Sequence, residues 1–328
     1  MKNRTYSKLN LDRHSKIFPI ITIITPIYNR ALTFKRTLES VLNEMHLKIE
    51  YLVVSDGSED ILQLRQIFKE ISHLDRVNLI EVEQNNGTCA AINHGAKHAI
   101  SDWIMFLGSD DQLVSGGIEK LMEVISGLET EKDFIYYSMV YEDGIARPRT
   151  EPPTHLNLEK YLKHINVNLG TDQELGVLIK REQLIKFPLP ENHAYEDYFH
   201  LQINKYLSGI FVPVVVKKIN TDLKDRASKP IMQITSNKVA SKFMGQKDGF
   251  ETVLLAYHKE LIRFAPRYFF SITKKYFKRT AMLIKRQPMK SFFPRNTNQI
   301  KLVVYVIYGI IRIIWKKFTM SMGAMVFK

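Results

Sequence analysis

The sequence predicts an α/β protein built on a parallel sheet, and three observations predict it. Short β-branched runs alternate with helical segments at close spacing through the first 110 residues, which is the pattern of strand–helix–strand units. The runs end in polar, turn-forming clusters. With 45% hydrophobic and 25% charged residues among 328, the chain is globular rather than disordered and long enough for a core plus an appendage.

The elements follow in order. "IITIITPIYN" (20–29) is a β-branched run closed by Pro26, a buried strand ending in a loop. "LTFKRTLESVLN" (32–43) spaces Leu32, Leu38, Val41 and Leu42 helically. "IEYLVVSDGSED" (49–60) is a strand that runs into a Gly-containing turn, followed by a helix over 61–73 and a strand, "VNLIEVE" (77–83). "TCAAINHGAKHAI" (88–100) is a helix of small residues, and "WIMFL" (103–107) is the fourth strand. Beyond it, "FIYYSMVYED" and "GVLIKREQLI" read as strands or a strand–helix pair. "ENHAYEDYFHLQINKYL" is a loop entering a helix, and "GIFVPVVVKKI" a strand. There is no internal repeat and no low-complexity tract.

In open parallel sheets ligands bind beyond the carboxyl ends of the strands. Tyr28, Asp56 and the adjacent Asp110 and Asp111 each fall at such an end. Two neighbouring carboxylates repel, and a divalent cation with oxygen preference, Mg²⁺ or Mn²⁺, removes that repulsion; a solvated turn is the plainer alternative. Asp56 suits a base-edge N–H, and equally a turn or helix N-cap. Tyr28 suits stacking on a base or a half-buried place in the core. Asn86 and Gly87 precede a helix, where free N–H groups suit phosphate. Glu196 and Asp197 form a second acidic pair at a helix start, either a general base or a cap. His193 and His200 lie nearby without a ligand-like spacing.

The series "ITPIYNR … VVSDGSED … NNGTCAAINHG … WIMFLGSDD … YEDYFHL" resembles the family 2 glycosyltransferases of the GT-A fold, over residues 20–215. The resemblance implies a nucleotide-diphospho-sugar donor, usually UDP-linked, a divalent metal, and transfer with inversion at the anomeric carbon. It places Pro26 and Tyr28 beside the nucleotide and Asp56 on the base. Asp110 and Asp111 fall on the metal and ribose-phosphate segment, and Asp197 on the catalytic base with Glu196 beside it. The chain departs from the pattern where Ser55 precedes Asp56, where Gly108-Ser109 precedes the acidic pair, and at Ile92, which stands where the family often has a phosphate-facing Arg.

Charge is unevenly placed. Of 47 Lys and Arg, 15 fall in 261–328, where no Asp or Glu occurs, so 32 remain in 1–260 against all 34 acids. Such a tail points to a polyanionic surface. On a wheel of about 100° per residue, 268–286 puts Lys274, Lys275, Lys278, Arg279, Lys285 and Arg286 on one side. Phe269, Phe270, Tyr276, Phe277, Leu283 and Ile284 fall on the other. This is the pattern of an in-plane membrane helix or of a helix packed on a domain. "LVVYVIYGIIRIIW" (302–315) reaches about 21 Å as a helix, short of a ~30 Å hydrocarbon core, and would be out of place on a nucleic-acid-binding face.

Cys89 is the single cysteine, which excludes an intramolecular disulfide framework and suits a reducing compartment. The first 16 residues are charged and lack the apolar stretch of a secretory signal. The expected organisation is an N-terminal lead (1–19), a GT-A domain (20–216), a connecting helical segment (217–260) and a basic amphipathic membrane-associating region (261–328). The expected protein is a peripheral enzyme on the cytoplasmic face of the membrane. It would extend a lipid-linked glycan of a bacterial surface polysaccharide on an anionic membrane surface, with no nucleic-acid partner. The alternatives are a soluble or protein acceptor, or a non-catalytic sugar-nucleotide-binding domain.

Overall fold

A computed structural model describes residues 18–72, 74–149, 151–152, 154–169, 175–191, 196–220, 236–284 and 307; for 236–247 and 279–284 it describes backbone only. The expected alternation is present: β1 (Ile21–Ile27), α1 (Lys35–Leu42), β2 (Ile49–Asp56), α2 (Ile61–Glu70), β3 (Val77–Val82), α3 (Thr88–His98) and β4 (Trp103–Phe106). These four strands are parallel in the order β3-β2-β1-β4.

The remainder extends the same sheet rather than forming a second one. It comprises β5 (Gln112–Leu113), α4 (Gly117–Ser126), β6 (Phe134–Tyr141), β7 (Ala146–Arg147), β8 (His155–Leu156), α5 (Leu158–Val167), β9 (Gly176–Lys180), α6 (Arg181–Lys186), α7 (Asp197–Tyr206) and β10 (Gly209–Ile219). The order continues β4-β9-β6-β10-β5, with β9 antiparallel to both neighbours, β10 parallel to β6 and β5 antiparallel to β10. The sheet is therefore mixed, not wholly parallel.

Burial on both faces explains the unbroken apolar runs. All eight residues of β2 are buried. Successive side chains point to opposite faces, so Tyr51 and Val53 join a core with α1, α2 and α4, while Leu52 and Val54 join a core with α3, α5 and α7.

Two long helices, α8 (Ser236–Phe264) and α9 (Pro266–Ile284), close the described chain. They correct the expected organisation. The boundary placed at 260 falls inside α8, and the aromatic face of the basic segment is divided. Tyr268, Phe269, Ile272 and Tyr276 are buried in the same core as Tyr161 and Leu162 of α5 and Leu201 of α7. Phe270, Phe277, Lys274, Lys275 and Lys278 are exposed. The buried set packs on the domain because α5 and α7 present apolar residues that need covering. The segment 302–315 lies outside the described residues apart from Ile307, as do Lys285 and Arg286.

Ile272→Ala is expected to destabilise the domain by about 2–5 kcal/mol, the usual cost of truncating a buried Ile, seen as a lowered thermal midpoint. Ending the chain at Glu260 should destabilise it further. A truncated protein with an unchanged midpoint would show that α9 is no part of the core.

Candidate active site

Because β1, β2, β3 and β4 run in parallel, their carboxyl ends lie on one edge of the sheet, and a cleft of about 780 Å³ opens there. Pro26 near the end of β1 and Tyr28 just beyond it line the cleft, with Asp56 as the last residue of β2 and Gly108 through Asp111 after β4.

The first two loops are clasped together. Asn29, in a left-handed conformation that Asn tolerates (φ 52°), accepts a hydrogen bond from the Glu59 N–H at 2.7 Å. The Ala31 N–H donates to Asp60 Oδ2 at 2.7 Å. Gly57 is required by crowding: its φ is +68°, and a Cβ there would lie 2.5 Å from the Asn85 backbone nitrogen.

Asp56 is buried and accepts from the Asn86 N–H at 3.0 Å and the Gly87 N–H at 2.8 Å. The expectation of free N–H groups at Asn86 and Gly87 is thereby corrected, since Asp56 takes both. The Asn86 side chain bonds the Gln84 carbonyl and is exposed, and Asn85, Gly87 and Thr88 line the cleft in its place.

The acidic pair is held from several sides. Arg30 Nη1 donates to Asp110 Oδ2 at 2.9 Å, with both side chains nearly buried at 12% and 13% exposure. Arg36 Nη2 donates to the Asp110 carbonyl at 3.1 Å, and Asn220 Nδ2 to the same carbonyl at 2.8 Å. Thr37 Oγ1 lies 2.7 Å from the Asp111 carbonyl. The Asn220 N–H donates to Asp111 Oδ1 at 3.3 Å. Both carboxylates converge over Gly108: a Cβ there would lie 2.7 Å from Asp111 Oδ2 and 3.0 Å from Asp110 Oδ1.

The second acidic pair divides. Glu196 lines the cleft, whereas Asp197, at the first turn of α7, accepts a short hydrogen bond from the Tyr268 hydroxyl of α9. Asn93 of α3 fixes the approach to this pair: it donates to the Leu189 carbonyl at 2.8 Å and accepts from the Leu189 N–H at 3.0 Å.

His200, one turn beyond, also lines the cleft. Asn204 Nδ2 donates to the His200 carbonyl at 2.8 Å and to Tyr136 Oη at 2.9 Å. Tyr136 therefore directs its proton to His200 Nδ1, 2.8 Å away, and the imidazole carries its own proton on Nε2. Burial pushes the His200 imidazole down to about 4, against the opposing charge of Asp197 and with a contribution from Lys217. His193 lies outside the described residues.

With this geometry in view, comparisons with known proteins are specific. Residues 22–184 match the family model of glycosyl transferase family 2. An uncharacterized glycosyltransferase of Haemophilus influenzae is 37% identical over 184 residues, 55% of this chain and 69% of its own length. The Escherichia coli UDP-Glc:alpha-D-GlcNAc-diphosphoundecaprenol beta-1,3-glucosyltransferase WfgD is 30% identical over 189 residues, 57% of this chain and 70% of that protein. Against several longer relatives the match spans about a quarter of their length. The crystal structure of S. aureus TarS 1-349 in complex with UDP-GlcNAc has a TM-score of 0.54 at 16% identity, covering 83% of this chain and 82% of that one, and speaks to the fold alone. The fold and site define a GT-A glycosyltransferase. The chain belongs to glycosyltransferase family 2.

Sequence reasoning did not find Arg30, Lys217 or Tyr268 as cleft or site residues. Arg30 follows Tyr28-Asn29 directly, so its nearness to a strand end was the available signal; Tyr268 carried none, because only tertiary packing brings α9 to α7.

A pH dependence follows from two histidines. His164, buried with Nε2 unpartnered, is also pushed down to about 4 by burial. Unfolded histidine titrates at about 6.5. Between pH 6.5 and 4 the unfolded chain takes up protons that the folded one does not, so stability is complete above 6.5 and falls as pH drops through that window. Urea midpoints should decline from pH 7 to pH 5, less so in His164→Gln; identical midpoints would show that both imidazoles protonate within the fold.

Proposed function

We propose that this glycosyltransferase moves a sugar from a nucleotide-diphospho-sugar, foremost a UDP-sugar, to a hydroxyl of a lipid-linked glycan in bacterial surface polysaccharide synthesis, inverting the anomeric centre. The observation that carries the reading is the cleft itself. It has a carboxylate pair converging over Gly108 at one strand end, and it is also lined by Glu196, which Asp197 follows directly at the start of α7. The names of WfgD and of the TarS complex support the donor and acceptor classes.

The residues fit a divalent metal. A side chain at 108 would fill the space into which Asp110 and Asp111 point. Among the described residues no group of three or more His, Cys, Asp or Glu is arranged to hold a metal alone. Mg²⁺ and Mn²⁺ commonly take one or two carboxylates and complete their shell with substrate phosphates and water. Asp110 and Asp111 would hold the ion; when bound it supplies neutralisation of the charge on the departing nucleoside diphosphate.

In this reading Tyr28 and Pro26 border the nucleotide. Asp56 orders the 85–87 loop through both carboxylate oxygens, leaving further lone pairs for the base. Asp197 accepts the proton of the attacking hydroxyl. The Tyr268 hydroxyl occupies Oδ2, and Oδ1 has no hydrogen bond among the described residues.

Hydrolysis or transfer of UDP-sugars by the purified protein should require Mg²⁺ or Mn²⁺ and vanish in Asp111→Asn with little loss of fold. Asp197→Asn should lower kcat by about 10²–10⁴ with donor KM nearly unchanged, and Glu196→Gln less. Full turnover in excess EDTA would overturn the metal assignment, and a larger loss in Glu196→Gln would transfer the proton to Glu196.

The membrane reading rests now on the exposed face of α9, where Phe270 and Phe277 accompany Lys274, Lys275 and Lys278. Among the described residues no helix is long and apolar enough to cross a membrane. We place the enzyme on the cytoplasmic face as a peripheral protein, with an anionic bilayer as partner. Each Lys near such a surface contributes about 1 kcal/mol, so replacing the three lysines with Glu should reduce flotation with phosphatidylglycerol vesicles, most clearly at low salt. Equal flotation of the variant and the parent protein would remove α9 as the anchor.

A further inference from the structure

Among the described residues, two lysine or arginine side chains line the cleft, Arg30 and Lys217. Arg30 is occupied by Asp110. Lys217 is half-buried on β10, and among the described residues its ammonium has no hydrogen bond or ion pair. A partly buried ammonium is favoured where a counter-charge meets it, and none of the described residues makes an ion pair with Lys217. A charge so placed is complementary to an anion that arrives from solution.

The position of Lys217 narrows what that anion is. β10 pairs antiparallel with β5, setting Lys217 opposite Leu113, two residues beyond Asp111. Three residues further, Asn220 bonds Asp111 Oδ1 and the Asp110 carbonyl. Lys217 is also near enough to His200 to act on it electrostatically. It thus lines one cleft with the carboxylate pair over Gly108, with Glu196 and with His200 of α7. A donor with its base at Tyr28 and Asp56 and its sugar toward Glu196 would bring its diphosphate into the part of the cleft that holds these groups. The α3 face on the cleft offers Thr88 and Ile92, neither of them a cation.

We infer that Lys217 receives a phosphate oxygen of the donor diphosphate and is a donor-binding residue supplied by β10, outside the loops that follow the four parallel strands. This rests on the nucleotide-diphospho-sugar reading above. The free acceptor is a second source of diphosphate, and the test separates the two.

Binding of UDP, GDP and uridine in the presence of Mn²⁺ is measured by calorimetry for the full chain and for Lys217→Met and Lys217→Arg. Lys217→Met should weaken the nucleoside diphosphate about 10- to 100-fold, the loss of one charge-assisted hydrogen bond. Uridine affinity should stay as it is, and Lys217→Arg should recover part of the loss. The ligand-free melting temperature of Lys217→Met should be no lower than that of the parent, because no ion pair or hydrogen bond of its ammonium with a described residue is removed, while its shift on adding UDP should shrink. Unchanged UDP affinity in Lys217→Met would overturn the inference and leave Lys217 a solvated side chain. Unchanged UDP affinity with lost transfer would assign it to the acceptor's phosphate instead, equally overturning the donor role. A parent protein that binds neither UDP nor GDP would overturn the donor reading itself.

Discussion

Two carboxylates side by side at the end of β4 are the constraint on which the site depends. At close range their repulsion is worth several kcal/mol at an effective dielectric near 20, and the surrounding structure is arranged to hold them regardless. Arg30 meets the charge of Asp110, while Arg36, Thr37 and Asn220 take backbone carbonyls of the same turn. These partners come from the β1–α1 loop, from α1 and from the end of β10, so the turn cannot relax without moving three elements. Gly108 completes the arrangement by leaving empty the volume that both carboxylates face. Keeping like charges converging in this way has a cost in stability of the kind expected at functional positions.

The opposite wall follows a different logic, in which neutral groups predominate. Tyr136, His200 and Asn204 form a hydrogen-bonded chain, with the Asn204 amide donating to the His200 carbonyl and to the Tyr136 hydroxyl and that hydroxyl 2.8 Å from His200 Nδ1. Burial keeps the imidazole neutral, so His200 brings no positive charge to the cleft it lines. The formal charges on this wall are Glu196 and Asp197, one facing the cleft and the other tied to Tyr268. The two acidic pairs thus come from separate parts of the fold, Asp110 and Asp111 from the turn after β4 and Glu196 and Asp197 from the start of α7.

Much of this was legible in the sequence because period and punctuation are local. β1 through β4, their helices and the polar strand ends follow from alternation, β-branched runs and turn residues, and the strand ends converge because parallel strands share a direction. Pairing order was not legible. Nothing in "GVLIK" states that β9 inserts antiparallel between β4 and β6, because the preference of a strand for a neighbour is set by side chains far apart in the chain. Asn86 shows the same limit at one residue: a Gly-rich approach to a helix suggested free N–H groups, and only the fold reveals Asp56 beneath them.

The basic tail illustrates why periodicity defines a face without naming what covers it. A bilayer and a protein core are both apolar, so an amphipathic pattern is satisfied by either. In α9 the core takes Tyr268, Phe269, Ile272 and Tyr276, and the solvent side keeps Phe270, Phe277 and the lysines. One helix therefore carries a buried contact to the acidic pair and an exposed basic–aromatic face within a few turns of each other. Because Tyr268 bonds Asp197 directly, any surface that engages the exposed face is held at a fixed distance from the residue assigned to the acceptor hydroxyl. Within the described residues, α9 is thus part of the domain's core on one side and carries Lys274, Lys275 and Lys278 on the other.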